Sequence, residues 1–550
     1  MDRRKFLTYV GSSAAAMVVA STGLGAVTNK AEASAANHLS NSKTLSKGKP
    51  LSAPFTPVQR TWADDITLPS GYHYNIIASY GDVINEKGEK FGDATDLTVF
   101  FPIDALEGGN HSEEGILWVN HEFPEPQNYL TILGINPETF DPSKMSSYPE
   151  LLKMEKEAVG GSVIHIKKEG NGEWKLVKNS RYNRRIDATT KIKLTGPAAG
   201  SIGVKQATIV EGTLGNCSGG KTFWNTALSC EENTEYGDDY GWPNFTDEHY
   251  GWVVEIDPFD PSSQPRKHTA LGRFAHENAA VGLTKDGRVV VYMGDDKGDE
   301  CFYKFISSKK YNPNNRNANF DILESGTLYV ADMKNQKWIA LDYKTNEKLQ
   351  NYEKDGVKFF KSQADVLVHT REASKAVGGT KLDRPEDVEI HPYDGSVFLA
   401  MTNNTGHGNF HGQIARFYPA GGDHGSDEFT FEVFIAGGQK SGITCPDNLH
   451  FDSQGNLWVV EDYYATEDNQ YAEFKNCGTF MVPTDGESYG DPFMFASGPK
   501  GCEMTGPWFS PDERTLFIDI QHPETWNPYP GHKFGRSCLV AIQGPGSFVK

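Results

Sequence analysis

The chain has 550 residues, a moderate apolar content, many glycine and aromatic residues, and a formal net charge of −20 at pH 7. This length suits two domains or one large repeat fold, and the scarcity of long helical patterns predicts many short strands joined by turns. The negative charge argues against nucleic acid as a partner, because a phosphate backbone requires a basic protein face. Either solubility or cation binding explains the acidity.

Residues 1–35 predict an export signal and not a part of the fold. Asp2-Arg3-Arg4-Lys5-Phe6-Leu7 is a twin-arginine signature, and a weakly apolar stretch over 8–27 and small-residue cleavage sites over 31–35 follow it. We therefore expect the twin-arginine machinery as a partner and a periplasmic, cell-wall-associated or extracellular location. A membrane anchor is the alternative, although the stretch is too polar for a stable span. No later segment predicts a transmembrane helix.

Residues 36–65 are rich in Ser, Lys, Asn and Pro and predict a disordered leader. The folded domain is expected over 66–550.

Within that domain, one pattern recurs: a polar opening residue, a short strand, an Asp/Gly turn, and an apolar strand that ends in polar residues. The clearest copy starts at Cys445-Pro446-Asp447-Asn448 and ends at Glu461-Asp462. The six openings are Asp104, Cys217, Glu277, Glu386, Asp447 and Glu503. Repeats of this kind predict an all-β fold, a β-propeller of six blades with loop and short helix insertions. Two steps between openings are long, so a seventh blade is the alternative; one of them holds a predicted helix over 362–377.

A closed propeller directs equivalent repeat positions at one central channel. Four carboxylates and one thiol would then surround a single cavity. They belong to the openings Cys217, Glu277, Glu386, Asp447 and Glu503. Buried carboxylates repel one another, and a multivalent cation relieves that repulsion. The alternative is that these acids cap turns at the blade edges.

Cys217 differs from the other openings, since a thiolate is a soft ligand that favours iron or another transition metal over calcium. A buried, inert cysteine is the alternative. The chain has 7 cysteines and no CxxC pair, which argues against a zinc finger. A second set of acids closes or follows the strands, and solvated surface positions are the alternative for each. They are Glu122, Glu231, Glu232, Asp295, Asp296, Glu300, Glu461 and Asp462.

Arg384 lies two residues before Glu386, so both side chains would share one face of a strand. An arginine beside metal ions is suited to bind phosphate through its planar fork. A salt bridge with the surrounding acids is the alternative. The sequence contains no P-loop, nucleotide-binding glycine fingerprint, HExxH motif or GxSxG motif.

The chain resembles the PhoX family of bacterial alkaline phosphatases from about residue 66 to its end. The resemblance rests on the twin-arginine signal and on short motifs, of which the cysteine opening and the Arg-Pro-Glu-Asp motif are the most specific. The motifs are Asn120-His121-Glu122, Asn216-Cys217-Ser218-Gly219-Gly220, His276-Glu277, Arg384-Pro385-Glu386-Asp387 and Glu461-Asp462.

This resemblance implies a six-bladed propeller that holds two oxo-bridged iron ions and several calcium ions. It implies that Cys217 ligates iron, that Glu277 and Glu386 ligate metal, and that Arg384 contacts phosphate. Repeat position extends the metal-ligand role to further residues, and Asn278, which follows Glu277, joins Arg384 as a substrate-binding candidate. The further metal-ligand candidates are Glu122, Glu232, Asp447, Glu461 and Glu503.

The expected function is that of an exported, metal-dependent, monomeric alkaline phosphatase that releases inorganic phosphate from small organic phosphomonoesters, with Arg384 as the catalytic residue. One alternative is a calcium-dependent propeller lactonase, which would need few acids and no thiolate. Another is a non-catalytic propeller that binds sugars or proteins, which would not explain Cys217 and Arg384 at the channel.

Overall fold

The computed structural model describes residues 53–232, 236–524 and 533–549. The predicted export signal therefore lies outside the described residues. The described chain consists mainly of strands in antiparallel sheets, which confirms the all-β prediction. None of the helices in these ranges is long and apolar enough to cross a membrane.

Six sheets with four or more strands follow one another along the described chain. The strand β1 (His73–Ser79) comes first and joins the last sheet. The first sheet contains β2 (Thr95–Pro102), β3 (Glu114–His121), β4 (Gly160–Lys168), β5 (Trp174–Leu176) and β6 (Arg184–Ile186). The second contains β7 (Lys191–Thr195), β8 (Ile209–Glu211), β9 (Asn216–Lys221), β10 (Ala227–Glu231), β11 (Val253–Ile256) and β12 (Arg266–His268). Its β7 and β12 run parallel.

The third sheet contains β13 (Ala280–Leu283), β14 (Arg288–Gly294), β16 (Phe302–Lys310), β17 (Gly326–Asp332) and β18 (Lys337–Ala340). Two small sheets accompany it, β15 (Gly298–Glu300) with β21 (Leu382–Asp383), and β19 (Glu353–Lys354) with β20 (Val357–Lys358). The fourth contains β22 (Pro385–Ile390), β23 (Val397–Met401), β24 (Gln413–Pro419) and β25 (Phe429–Ala436). The fifth contains β26 (Pro446–Phe451), β27 (Leu457–Glu461), β28 (Gly478–Val482) and β29 (Phe493–Ser497). The sixth contains β30 (Met504–Phe509), β31 (Thr515–Ile520) and β32 (Cys538–Gln543), with β1 beside β32.

Helices lie only in the connections of the described chain. The α-helices are α1 (Pro126–Ile132), α2 (Pro149–Ala158), α3 (Tyr236–Asp239), α4 (Glu347–Asn351), α5 (Gln363–Val368) and α6 (Thr370–Val377). The 3-10 helices are Ala105–Glu107, Pro137–Thr139, Pro142–Ser147, Ile202–Val204, Asp247–His249, Thr269–Leu271, Arg316–Asn319, Ile322–Glu324, Thr405–His407 and Ala420–Gly422. The single helix predicted over 362–377 is thus two helices, because His369 between them leaves the helical conformation.

The core lies between neighbouring sheets, where their apolar faces pack together. Tyr292 of the third sheet and Phe417 of the fourth share one apolar cluster, and Trp458 of the fifth and Ile518 of the sixth share another. The edge strands β2, β9, β13, β22, β26 and β30 contact one another in this order, and β30 contacts β2.

Each of the six edge strands forms a hairpin with the next strand, and we call these six pairs the inner hairpins. The strand register slips near the start of every inner hairpin, as in a β-bulge. The first residue within each slip, which we call the slip position, is Asp96, Cys217, Glu277, Glu386, Asp447 or Gly506. The sequence repeat is therefore a repeated backbone geometry.

A backbone hydrogen bond closes the same end of every inner hairpin. The donor, which we call the strand-end position, is the first residue after the second strand, or the second residue after it in the third hairpin. The acceptor carbonyl lies two residues before the slip position, or three in the sixth hairpin. The donors are Glu122, Glu232, Asp296, Thr402, Asp462 and Gln521, and their acceptors are Ala94, Gly215, Ala275, Arg384, Cys445 and Glu503. Slip and strand-end side chains are thus brought to one end of each hairpin.

Two predicted openings differ from this register. Asp104 lies in the turn after β2, where its carboxylate accepts a hydrogen bond from the His111 backbone N–H at 3.0 Å, and the equivalent position is Asp96. Glu503 precedes its slip by three residues, and the slip position of that hairpin is Gly506. Both errors arise because the sequence pattern does not show where a strand register slips.

The last part of the predicted leader also differs, because residues 53–65 pack against the fifth and sixth sheets. Phe55 is buried beside Trp458 and Phe495, and Arg60 is ion-paired with the buried Glu461 at 2.6 Å. The composition of this stretch gave no sign that Phe55 and Arg60 have specific partners in the fold.

We predict that Gly506→Ala destabilises the protein more than Gly287→Ala does. Both glycines have positive φ, 58° and 88°, but a Cβ at Gly506 would lie 2.4 Å from the Asp96 carbonyl oxygen, whereas one at Gly287 meets nothing within 4 Å. The left-handed backbone costs each alanine about 1–2 kcal/mol, and only Gly506→Ala adds an overlap with backbone atoms of the first sheet. Denaturant unfolding measures both variants, and equal losses would contradict the tight approach.

Candidate metal centre

The slip positions of neighbouring hairpins bring a thiol and several carboxylates into contact. The Cys217 Sγ lies 3.3 Å from Asp96 Oδ2 and 3.1 Å from Glu277 Oε1. Three groups of residues each place one ligand atom per residue within 4.8 Å of the others. These groups are Asp96, Glu122 and Cys217; Cys217, Glu232 and Glu277; and Glu277, Glu386 and Asp447. Since they share Cys217 and Glu277, the groups form one continuous cluster.

The strand-end residues extend this cluster. Glu122 lies beside Glu232, which also lies beside Asp296. Gln521 donates through Nε2 to Asp96 at 2.7 Å and to Glu122 at 3.0 Å, and therefore links a slip position to a strand-end position.

Arg384 is the cation inside this cluster. Its Nη2 lies 2.7 Å from Glu386 Oε1, its Nε and Nη2 bind Asp296 at 2.9 and 2.8 Å, and its Nη1 lies 3.4 Å from Asp462. Burial opposes the charge, but the acids around it raise the pKa of Arg384 above its usual value. The residue has φ of 52°, a conformation that non-glycine residues rarely adopt and that functional sites often contain.

The electrostatics of the cluster call for cations. Burial, followed by repulsion between the acids, raises the pKa of Glu277 and Asp447 well above the usual values, and burial raises that of Glu122 to about 7. Burial likewise raises the pKa of the Cys217 thiol. Without counterions these groups would hold protons at neutral pH, whereas multivalent cations would hold them as anions.

The donors fit metal ions. Asp96 Oδ1 and Glu277 Oε2 are buried and have no hydrogen-bond partner among the described residues, which is costly unless another ligand occupies them. Carboxylate oxygens suit calcium, and a thiolate among them suits iron.

Most of the predicted site residues meet in this cluster. Those within it are Glu122, Cys217, Glu232, Glu277, Arg384, Glu386 and Asp447. Glu503 reaches it from just before the sixth hairpin, where it lies beside Asp447 and 3.2 Å from His522.

The structure places Glu461 and Asn278 elsewhere. Glu461 points away from the cluster, because adjacent strand residues face opposite sides, and its carboxylate pairs with Arg60. Its neighbour Asp462 faces the cluster in its place. Asn278 is bonded to Asp387 and lines a separate cavity of about 140 Å³, whose lining includes Asn448 but none of the clustered acids. The metal-ligand prediction for Glu461 is therefore transferred to Asp462.

Sequence reasoning gave no site role to Asp96 and Gln521 and left Asp296 and Asp462 among unassigned acids. Asp296 and Asp462 share a usable signal, since each is the second of two adjacent acids at the end of an apolar strand, as Glu232 is. Asp96 is the second residue of β2, as Asp447 is the second residue of β26. No sequence signal marks Gln521.

The fold and this site define a class of protein: a sheet-rich enzyme whose buried cluster combines acids and a thiol that could hold cations with an arginine suited to an anionic substrate. The family model described as "Alkaline phosphatase PhoX" matches residues 53–524, and the chain belongs to this family. It is an alkaline phosphatase that hydrolyses phosphomonoesters.

A solved structure of Pseudomonas fluorescens PhoX in complex with vanadate, a transition state analogue, is 32% identical in sequence. The similarity covers 90% of this chain and 99% of that chain with a TM-score of 0.79. A Xanthomonas campestris gluconolactonase is 10% identical, with coverage of 86% and 98% and a TM-score of 0.29, which is too low to inform function. No curated protein matches the chain.

We predict that removal of metal by a chelator makes the stability of the protein fall with rising pH. Groups whose pKa is raised on folding, such as Glu122 from 4.5 to about 7, stabilise the folded state below the unfolded value. That stabilisation is lost as the pH rises through the folded value. The melting temperature of the stripped protein should therefore drop between about pH 5 and pH 8 relative to that of the untreated protein.

Thermal unfolding of both forms across this range tests the prediction. A constant difference between the two melting temperatures would show that the clustered acids do not bind cations.

Proposed function

We propose that phosphomonoesters are hydrolysed at this cluster and that its residues would hold an iron–calcium cofactor. The observation that carries the proposal is the set of buried, partnerless carboxylate oxygens around a thiol, with one arginine among them. The family membership supports the reaction, and the Pseudomonas fluorescens structure in complex with vanadate, a transition state analogue, supports a site that binds a phosphate-like anion.

Cys217 would hold iron, with Glu232 and Glu277 as neighbouring ligands. The remaining acids would hold further iron or calcium ions, and they are Asp96, Glu122, Asp296, Glu386, Asp447, Asp462 and Glu503. When bound, these ions supply the positive charge that attracts phosphate oxygens and activates an attacking water.

Arg384 would bind the phosphate and stabilise the charge that develops on it. The contact with Asp296 through Nε and Nη2 fixes the plane of the guanidinium. This leaves Nη1, whose longer contact with Asp462 is 3.4 Å, as the donor available to a phosphate oxygen. Because the arginine is held by its neighbours, little side-chain freedom is lost when substrate binds.

We further propose that the six sheets form the closed six-bladed propeller expected from the repeats. The cyclic contact of the six edge strands and the pairing of β1 with β32 support closure. An experimental structure with a seventh sheet, or with a gap between β30 and β2, would contradict it.

The twin-arginine signature supports export to the periplasm, the cell wall or the medium. Replacement of Arg3 and Arg4 by lysine should retain the phosphatase in the cytoplasm, as cell fractionation would show.

The decisive experiment combines elemental analysis of protein purified without chelator with an assay on an aryl phosphate. We expect iron, calcium and phosphatase activity together. Calcium alone, without activity on the phosphate, would contradict the proposed function and favour a propeller lactonase.

Cys217→Ser tests the thiol separately. We expect loss of iron and of most activity, because a hydroxyl is a poor ligand for iron at neutral pH. Cys538→Ser is the matched control, since Cys538 is also a buried thiol but packs in the apolar core between the fifth and sixth sheets. Full iron content in Cys217→Ser would refute the role of this thiol.

Arg384→Lys should lower kcat/KM by about 10²–10³-fold while the metal content stays near that of the unaltered protein. Lysine keeps the charge but lacks the fork that binds Asp296 and phosphate together. Arg288→Lys, which alters an exposed pair with Asp286, is the control and should leave kcat/KM unchanged. Equal kinetics for the two variants would exclude Arg384 from the site.

A further inference from the structure

Three of the strand-end acids are preceded by a second acid: Glu231 before Glu232, Asp295 before Asp296, and Glu461 before Asp462. Successive residues of an extended strand point to opposite faces, so one member of each pair faces the metal centre and the other faces away. All three outward members are buried. A buried carboxylate outside the cluster needs its own counter-charge.

One cationic side chain supplies the counter-charge of each outward acid. Lys267 Nζ lies 2.6 Å from Glu231, Arg371 Nη2 lies 2.5 Å from Asp295, and Arg60 Nη2 lies 2.6 Å from Glu461. The acids are at most 1% exposed at their side chains. We call these three contacts the clamps.

The clamping residues come from unrelated parts of the chain. Lys267 belongs to β12, Arg371 belongs to α6, and Arg60 belongs to the stretch before β1. The clamps therefore do not arise from one repeated element of the fold.

The clamp at Glu461 also contacts segments next to the residues of the cluster. Arg60 is fixed by the carbonyl of Gly442 at 2.6 Å and by the Tyr463 hydroxyl at 2.6 Å. Glu461 in turn accepts the backbone N–H of Thr444 at 2.8 Å and that of Gly478 at 2.9 Å. Thr444 leads into the fifth inner hairpin, and Asp462 is the next residue after Glu461.

The clamps occur only in hairpins whose strand-end residue is an acid of the cluster. The strand-end positions Thr402 and Gln521 carry no acid, and the residues before them are the apolar Met401 and Ile520. The fourth strand-end acid, Glu122, follows His121, which is held by Ser162 at 2.8 Å. If the fold alone required the clamps, all six hairpins would have one.

We propose that Arg60, Lys267 and Arg371 are positioning residues of the metal centre. Each holds the outward acid of a pair and thereby fixes the inward acid in the cluster. The inward acids are, in the same order, Asp462, Glu232 and Asp296. This inference rests on the proposed function, because it assigns the inward acids to metal ions. Outer groups that orient metal ligands commonly change metal affinity or activity by about 10–100-fold when they are removed.

The conservative variants Arg60→Lys and Arg371→Lys provide the test. Lysine keeps the positive charge, so the fold is expected to remain, but a single ammonium cannot reproduce the several directed hydrogen bonds of the guanidinium. We expect metal content and kcat to fall about 10-fold or more while KM changes little. Arg316→Lys is the matched control, because Arg316 binds Asp257 through two contacts of 2.8 Å beside the turn residues Trp224 and Asn225.

Arg60→Met removes the charge as well and should lose more metal than Arg60→Lys. Addition of Glu461→Gln should recover part of the loss, because no unpaired charge then remains behind Asp462. Metal content is measured per folded protein, with thermal unfolding recorded for every variant.

Two outcomes would overturn the proposal. In one, Arg60→Lys and Arg371→Lys keep full metal content and kcat. In the other, they lose no more than Arg316→Lys does. Absence of metal or of phosphatase activity in the unaltered protein would instead contradict the proposed function itself.

Discussion

The concentration of acidic side chains in one buried cluster is the constraint on which the rest of this protein depends. Carboxylates that touch one another out of water raise each other's pKa and would take up protons unless cations hold them as anions. Arg384 supplies one positive charge from within the cluster. Lys267, Arg371 and Arg60 supply three more directly behind it, where they pair with acids that face outward.

The repeated hairpin explains how one backbone provides so varied a set of groups. The slip in register places one residue at the same end of every inner hairpin, and the closing hydrogen bond places a strand-end residue beside it. Because the backbone makes these contacts, the side chain at each position is free to differ. The same position is Asp447 in one hairpin, Cys217 in another and Gly506 in a third, where the first sheet approaches closely. The residues whose carbonyls accept the closing hydrogen bond differ in the same way, and they include Ala94, Arg384 and Glu503.

Much of this arrangement could be predicted from sequence, because the repeat carries a local signal. Alternating apolar strands with Asp/Gly turns indicated the sheets, and the acids that open them indicated a shared cavity. The assignments that failed were those that depend on the local register of the strands. Asp104 and Glu503 were assigned to openings that Asp96 and Gly506 occupy, and Glu461 was chosen over Asp462. A shift of one residue reverses the face of a strand, and a bulge inserts such a shift without any mark in composition.

The sequence by itself determined the all-β character and the family, and it predicted that a thiol, carboxylates and an arginine at matching places of a repeat would come together. Only the tertiary structure decided which acid of each adjacent pair faces the acidic cluster, because that depends on hydrogen-bond register between strands. It also decided the role of residues 53–65. Composition assigned them to a mobile leader, whereas the fold provides Glu461, more than 400 residues away in sequence, as the partner of Arg60. Contacts between such distant residues arise from the packing of whole sheets, which no local pattern encodes.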